Sequence, residues 1–320
     1  MSRPSGAVGT NILEALSRRI VASGLITGRR RDSLDTDQVR KSLHAAWGTE
    51  ALLQLTGRVL GEEEILRLSN NWSAIQTYYV FYHCAQALHV AGGHELPDSH
   101  PKTQNIFCDQ WAGRHGDLSP WAFAYGFDGL VNVPPRVSVD MRIHSWSRCD
   151  GDNLWSIAGK ALMTTRRDVV KEKRKEQRER KRLTVRRLWR AEEQRRIALG
   201  SKARRELKYA LPKLTEEELV GVDRNTRPFT IMDYLYRLRI KTNYEDSNMF
   251  TDGPEDNQGS RNVRISLCQI ANGTLLLYER AIQAIIGSHQ LREWADAWIE
   301  RNLPRDHTDC LVARRRYHDI

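Results

Sequence analysis

Ten of the seventeen residues from Arg166 to Arg182 are Lys or Arg: Arg166, Arg167, Lys171, Lys173, Arg174, Lys175, Arg178, Arg180, Lys181 and Arg182. Guanidinium and ammonium groups at this density suit one chemistry above all. They bind phosphates, with an affinity that falls with salt and tolerates sequence. The interspersed Glu172, Glu176 and Glu179 also allow a plainer reading, a solvated helix supported by side-chain pairs one turn apart. Charge favours the polyanion. From Arg166 to Lys208 there are 19 basic and 7 acidic residues, a net of +12, while the whole chain of 320 residues carries +10. A near-neutral body thus holds one strongly basic segment. That excludes a uniformly basic coat for nucleic acid and points to RNA, with DNA as the alternative. Docking on an acidic protein is the competing use. A membrane surface is disfavoured, because this half of the segment has no apolar face opposite its charges.

Other reactive side chains are dispersed. Of ten histidines, His83 lies in an apolar run and reads as a hydrogen-bonded core residue. His100, between Ser99 and Pro101-Lys102, reads as a turn residue packed on the central helix. Arg301 and His307 are separated by five residues, but Pro304 interrupts them and no apolar helix surrounds them. The cysteines (Cys84, Cys108, Cys149, Cys268, Cys310) lack zinc-ligand spacing and read as free thiols of a reducing cytoplasm. No metal set and no cofactor is expected. Phosphate-loop, dinucleotide, serine-hydrolase and zinc-protease signatures are absent. No apolar run reaches the ~18–20 residues of a membrane span, and the first residues lack the apolar core of a signal peptide. The expected location is cytoplasmic.

The elements that would position these groups are helices. The chain is 40% hydrophobic and 28% charged, which fits a packed core. Helical periodicity predicts helices over 12–26, 36–47, 49–59 and 62–68. Residues 72–90 form the most apolar segment, with Trp72, Tyr78, Tyr79, Phe81 and Tyr82 on nearly every side, and predict the buried centre of a bundle ended by Gly92 and Gly93. Residues 94–150 read as packed loop, with a short strand within 131–141. A long helix is expected from about 155 to 209, its first half in solvent and its second half packed, stopped by Pro212. A short helix should open at Thr215 with a capping box to Glu218. Helices over 229–244, 263–286 and 290–301 follow, with a flexible loop at 251–260. The fold class is all-α.

Two segments resemble the HEPN superfamily, small helical bundles that include toxin and phage-defence ribonucleases. Trp72-Ser-Ala-Ile-Gln-Thr-Tyr-Tyr-Val-Phe-Tyr-His-Cys-Ala-Gln-Ala-Leu-His-Val-Ala-Gly-Gly, followed by Ser99-His-Pro-Lys, is similar to the family's central helix and the turn after it. Residues 233–246, Asp-Tyr-Leu-Tyr-Arg-Leu-Arg-Ile-Lys-Thr-Asn-Tyr-Glu-Asp, resemble the later helix, where an Arg precedes the catalytic His. The resemblance implies an HEPN-like bundle from 69–165 and 210–300; an N-terminal helical region at 1–68, a basic helical insertion at 166–209 and a polar basic tail at 301–320 lie outside it. It implies a homodimer, metal-independent cleavage of RNA and, in toxin systems, a neutralising partner protein. It places Arg239 at the scissile phosphate, a role that a permanently charged bidentate group suits. Tyr244 stands where the family has His. With an ordinary pKa of about 10 it is a poor base, but it can hydrogen-bond a phosphate or stack on a base. Asn243 and Asp246 would orient either residue. The alternative is a non-catalytic module that grips nucleic acid, or a protein, with the basic helix.

Overall fold

The computed structural model describes residues 6–23, 34–59, 63–112, 118, 120–126, 154–204, 212–240, 257–304 and 311–318. The fold is all-α. The helices are α1 (Gly6–Ala22), α2 (Thr36–Val59), α3 (Glu63–Ala91), α4 (His100–Trp111), α5 (Leu154–Ala198), α6 (Glu216–Asn225), α7 (Ile231–Ile240), α8 (Asn257–Ile286), α9 (Ser288–Asn302) and α10 (Leu311–Arg315). Two short strands, β1 (Ala124–Tyr125) and β2 (Phe229–Thr230), pair in one sheet. The chain divides into two compact units. Unit 1 comprises 1–124, 134–142 and 230–320; unit 2 comprises 125–133 and 143–229.

In unit 1, α3 runs through the core. Tyr78, Phe81, Cys84 and Ala85 are buried among Leu43 and Trp47 of α2, Leu275 and Tyr278 of α8, and Phe107 of α4. Indole and phenol groups inside this core keep hydrogen-bond partners, as buried polar groups must. Trp111 donates to the Tyr278 hydroxyl at 2.6 Å, Tyr278 donates to Gln110 at 2.9 Å, and Trp121 donates to Thr274 at 2.8 Å. Helix α8 passes close to Trp121 because Gly273 has no side chain. A Cβ there would stand 3.2 Å from the indole ring and 3.3 Å from Leu16.

Several expected boundaries shift. The helices expected over 36–47 and 49–59 are one helix, and those over 62–68 and 72–90 are another. Local breaks such as Gly48 cost about 1 kcal/mol in a helix, which burial of the neighbouring residues offsets. Trp72 is 65% exposed, so α3 is not buried on every side. Within the expected loop, α4 starts after Ser99, whose extended backbone suits an N-cap, with Pro101 in the first turn. Helix α8 begins at Asn257, inside the expected flexible loop. The strand expected within 131–141 lies outside the described residues.

Unit 2 is built on α5, and here the expectation for the long helix is reversed. Its first half packs: Leu162, Thr165, Arg166 and Val170 are buried. Its second half stands in solvent, with Leu183, Leu188 and Ile197 exposed. The helix also stops at Ala198 rather than near 209. Gly200 takes φ 83°, the left-handed conformation that closes a helix C-terminus. The chain then turns back, and Arg204 donates to Glu193 through its backbone N–H and side chain at 2.5 and 2.7 Å. Helix α6 opens with the expected capping box: Glu218 N–H donates to Thr215 Oγ1 at 3.2 Å, and Thr215 N–H donates to Glu218 at 2.7 Å. Thr215→Ala removes one half of that exchange. The expected cost is about 1 kcal/mol, read as faster amide exchange in the first turn of α6 and a lower denaturant midpoint for unit 2.

Candidate functional site

The first of the two segments that resemble the HEPN family and the described part of the second, residues 233–240, meet in unit 1. Helix α7 is anchored at its start by Asp233, whose carboxylate accepts from Thr230 N–H at 2.7 Å and from the Thr230 hydroxyl at 3.1 Å. Met232, Leu235 and Leu238 then face the core, and the helical spacing turns Tyr236 and Arg239 to its flank. The Arg239 guanidinium carbon lies 5.4 Å from the Tyr79 ring centre, 5.8 Å from Tyr78 and 5.8 Å from Tyr236. Three aromatic faces thus hold one cation. The half-buried Arg239 also keeps a buried Nε with no hydrogen-bond partner among the described residues.

His100 completes the cluster. Its ring centre is 4.8 Å from Tyr82 and 5.6 Å from both Tyr78 and Tyr236. His100 Nδ1 and the Tyr78 hydroxyl are 2.7 Å apart. Burial, reinforced by the Arg239 charge, holds the imidazole below its ordinary pKa, so it is neutral near pH 7. Burial pushes the Tyr78 phenol upward despite the Arg239 charge, so it stays protonated. In the tautomer with Nδ1–H donated to Tyr78, His100 Nε2 carries a free lone pair. His83 stacks on Tyr79 with ring centres 6.0 Å apart, and burial lowers its pKa. His83 is only partly buried, at the edge of this aromatic cluster rather than in the core.

The arrangement therefore joins a permanent cation, a neutral imidazole and a set of phenols. Of the four residues that the resemblance assigns to catalysis, Arg239 is in this cluster; Tyr244, Asn243 and Asp246 lie outside the described residues. Tyr236 and His100 were not singled out for chemistry by the sequence. Tyr236 is one turn before Arg239 and was findable by helical spacing. His100 was read only as a packing turn residue; it is the first residue of α4, and nothing in its spacing links it to Arg239. Arg301 is exposed at the end of α9, and His307 lies outside the described residues.

The basic stretch of α5 splits into two sets. Arg166 is 5% exposed and donates to the Asp223 and Thr226 carbonyls at 2.6 and 3.0 Å. Arg174 pairs with the Asp223 carboxylate at 2.5 Å, Lys181 with Glu218 at 2.9 Å, and Lys173 reaches the Thr226 hydroxyl at 3.4 Å. These four tie α5 to α6 and the residue after it, Arg166 through carbonyls at the C-terminal end of α6 and the other three through side chains. Lys175 pairs with Glu172 at 3.7 Å and Arg182 with Glu179 at 2.9 Å along α5 itself. Arg167, Lys171, Arg178 and Arg180 are exposed, with no ion pair among the described residues.

One further charged group is structural. Arg314 of α10 is fully buried between Glu50 of α2 and Glu279 of α8. Its guanidinium donates to Glu279 at 3.0 Å, to the Asn272 side chain at 2.6 Å, and to Glu50. His318 Nε2 lies 2.9 Å from Glu279, and the Trp47 indole donates to Glu279 at 2.8 Å. Burial alone would push Glu279 up, but the Arg314 charge and hydrogen bonds from His318 and Arg314 bring it to about 2. Burial pushes Glu50 the other way, above the usual carboxylate range, against the pull of the same Arg314. Sealed from solvent, this group offers no route to a substrate. Among the described residues, no three His, Cys, Asp or Glu side chains stand together to hold a metal ion, and no helix is long and apolar enough to cross a membrane.

No protein-family model matches the chain, and neither any curated protein nor any solved structure matches it. The functional reading therefore rests on the site itself.

Proposed function

We propose that this protein is an RNA-directed, metal-independent ribonuclease of HEPN-like, toxin or defence type, acting as a homodimer at the cluster of Arg239, Tyr78 and His100. The convergence of a cation and a neutral imidazole on one aromatic platform carries the reading. His100 Nε2 takes the proton of a ribose 2′-hydroxyl. The 2′-oxygen attacks phosphorus, Arg239 stabilises the charge gathered on the phosphoryl oxygens, and the P–O5′ bond breaks. The products are a 2′,3′-cyclic phosphate and a 5′-hydroxyl whose proton comes from solvent. His100 supplies the proton acceptor that Tyr244, as a phenol, supplies poorly. The tyrosine faces give unpaired bases a place to stack. Exposed cations of α5 raise the local concentration of RNA.

The pH dependence follows from the direction of the His100 shift. The neutral imidazole is the active form, and its pKa lies below the ordinary 6.5. Cleavage of total tRNA in EDTA is therefore expected to rise with pH, with its half-point below the ordinary histidine value, and to be flat from pH 7 to 8. His100→Ala should remove that acid limb. An unchanged limb in His100→Ala would assign the base elsewhere. If wild type does not cut but shifts RNA in a salt-sensitive manner, the non-catalytic binding reading takes its place.

A further inference from the structure

Unit 2 contains a cleft of about 650 Å³ on the face of α5. Five cations, Arg166, Arg167, Lys171, Arg174 and Arg178, line it against a single carboxylate, Asp223. That carboxylate is already engaged by Arg166 and Arg174, so it cannot neutralise the other three. Arg166 and Arg174 each also keep a buried Nε with no hydrogen-bond partner among the described residues. A buried donor without an acceptor marks a place for an ordered water or an anion. Arg167, Lys171, Arg174 and Arg178 are spaced by four, three and four residues, which sets them in one row along the helix. The row spans roughly 16 Å at 1.5 Å per residue, longer than a single phosphate needs and suited to several in series. The remaining wall is aromatic and apolar, from Tyr125, Met163 and Val170, a surface against which a base can lie.

We infer that this cleft binds the linked phosphates of a nucleoside polyphosphate, either free or as the 5′ end of an RNA. The inference rests on the RNA-directed reading for the polynucleotide, and on the cleft alone for the phosphates; it does not require cleavage at Arg239. Arg166 and Arg174, fixed by α6, form a rigid base for the site. Arg167, Lys171 and Arg178 are exposed and close on the ligand through charge-assisted hydrogen bonds.

The test is equilibrium binding of the full chain to three probes: ATP, a short RNA with a 5′-triphosphate, and the same RNA with a 5′-hydroxyl. Arg167→Glu/Lys171→Glu changes the cleft. Arg180→Glu/Arg187→Glu makes the same charge change on exposed α5 positions that do not line it. Circular dichroism checks that both variants fold. The expected result is that the cleft variant loses about tenfold or more in affinity for ATP and triphosphorylated RNA, while the control changes less than about threefold. Wild type should also prefer the 5′-triphosphate over the 5′-hydroxyl by about tenfold. The tighter of ATP and triphosphorylated RNA identifies the source of the phosphates. Equal losses in both variants, equal affinity for both RNA ends, or no binding of ATP or triphosphorylated RNA by wild type would overturn the inference. Absence of tRNA cleavage by wild type in EDTA, with ATP still bound and the cleft variant still losing it, would remove the ribonuclease reading alone, so the two failures show separately.

Discussion

Arg314→Met is expected to destabilise unit 1 by about 3–5 kcal/mol, because it removes the cation between two buried carboxylates. Methionine fills much of the same volume, so the loss is one of charge and hydrogen bonds rather than of packing. Glu279 would lose the donors at 3.0 Å from Arg314 and keep only those from Trp47 and His318. Denaturant unfolding reads the effect directly as a lower midpoint. Glu50→Gln is the informative comparison. Burial already disfavours the charged form of Glu50, and Arg314 retains Glu279 as its counter-ion, so the expected cost is only about 1 kcal/mol. Similar losses in the two variants would mean that Glu50 and Glu279 share the cation equally. The acid behaviour has a defined sign. Glu279 is held at about 2 when folded, against 4.5 ordinarily. Its contribution is therefore complete above the ordinary value and is lost as pH falls toward the folded one. Arg314→Met should flatten that acid limb.

Arg239→Ala is expected to lower RNA cleavage in EDTA by about 100- to 1000-fold, the usual effect of removing one preorganised stabiliser of transition-state charge. The variant should unfold near the wild-type midpoint, since Arg239 is half-buried and its aromatic neighbours remain packed on one another. His100→Ala should cost about 100- to 10,000-fold as loss of a general base. Arg239→Lys keeps a charge but not the planar, bidentate donor, and should recover only part of the activity. The informative ratio is that of the double variant to the singles. If Arg239 and His100 serve one chemical step, the combined loss falls short of the product of the two. Loss of folding in either single variant, or cleavage unchanged by both, would remove this cluster from consideration as the active site.

Local rules carried far through this chain. The all-α class followed from hydrophobic period, and the α6 capping box from Thr215 and Glu218 three positions apart. Tyr236 and Arg239 share a flank of α7 for the same reason. These are features whose partners lie within one or two turns, where spacing in sequence is distance in space. What tertiary structure decided concerns partners that spacing does not connect. Arg166 looked like a solvent cation within a basic run, yet its acceptors are the carbonyls 57 and 60 residues further on. That pairing buries the first half of α5 and leaves the later Leu and Ile residues exposed, the opposite of what apolar content suggests. Arg314 sat in a tail that read as polar and basic, yet its carboxylate partners come from α2 and α8, 264 and 35 residues away. A charge enters a core only where opposite charges wait to receive it, and which helices bring those charges is settled by packing. His100 met Arg239 in the same way, because both rest on the tyrosines of α3.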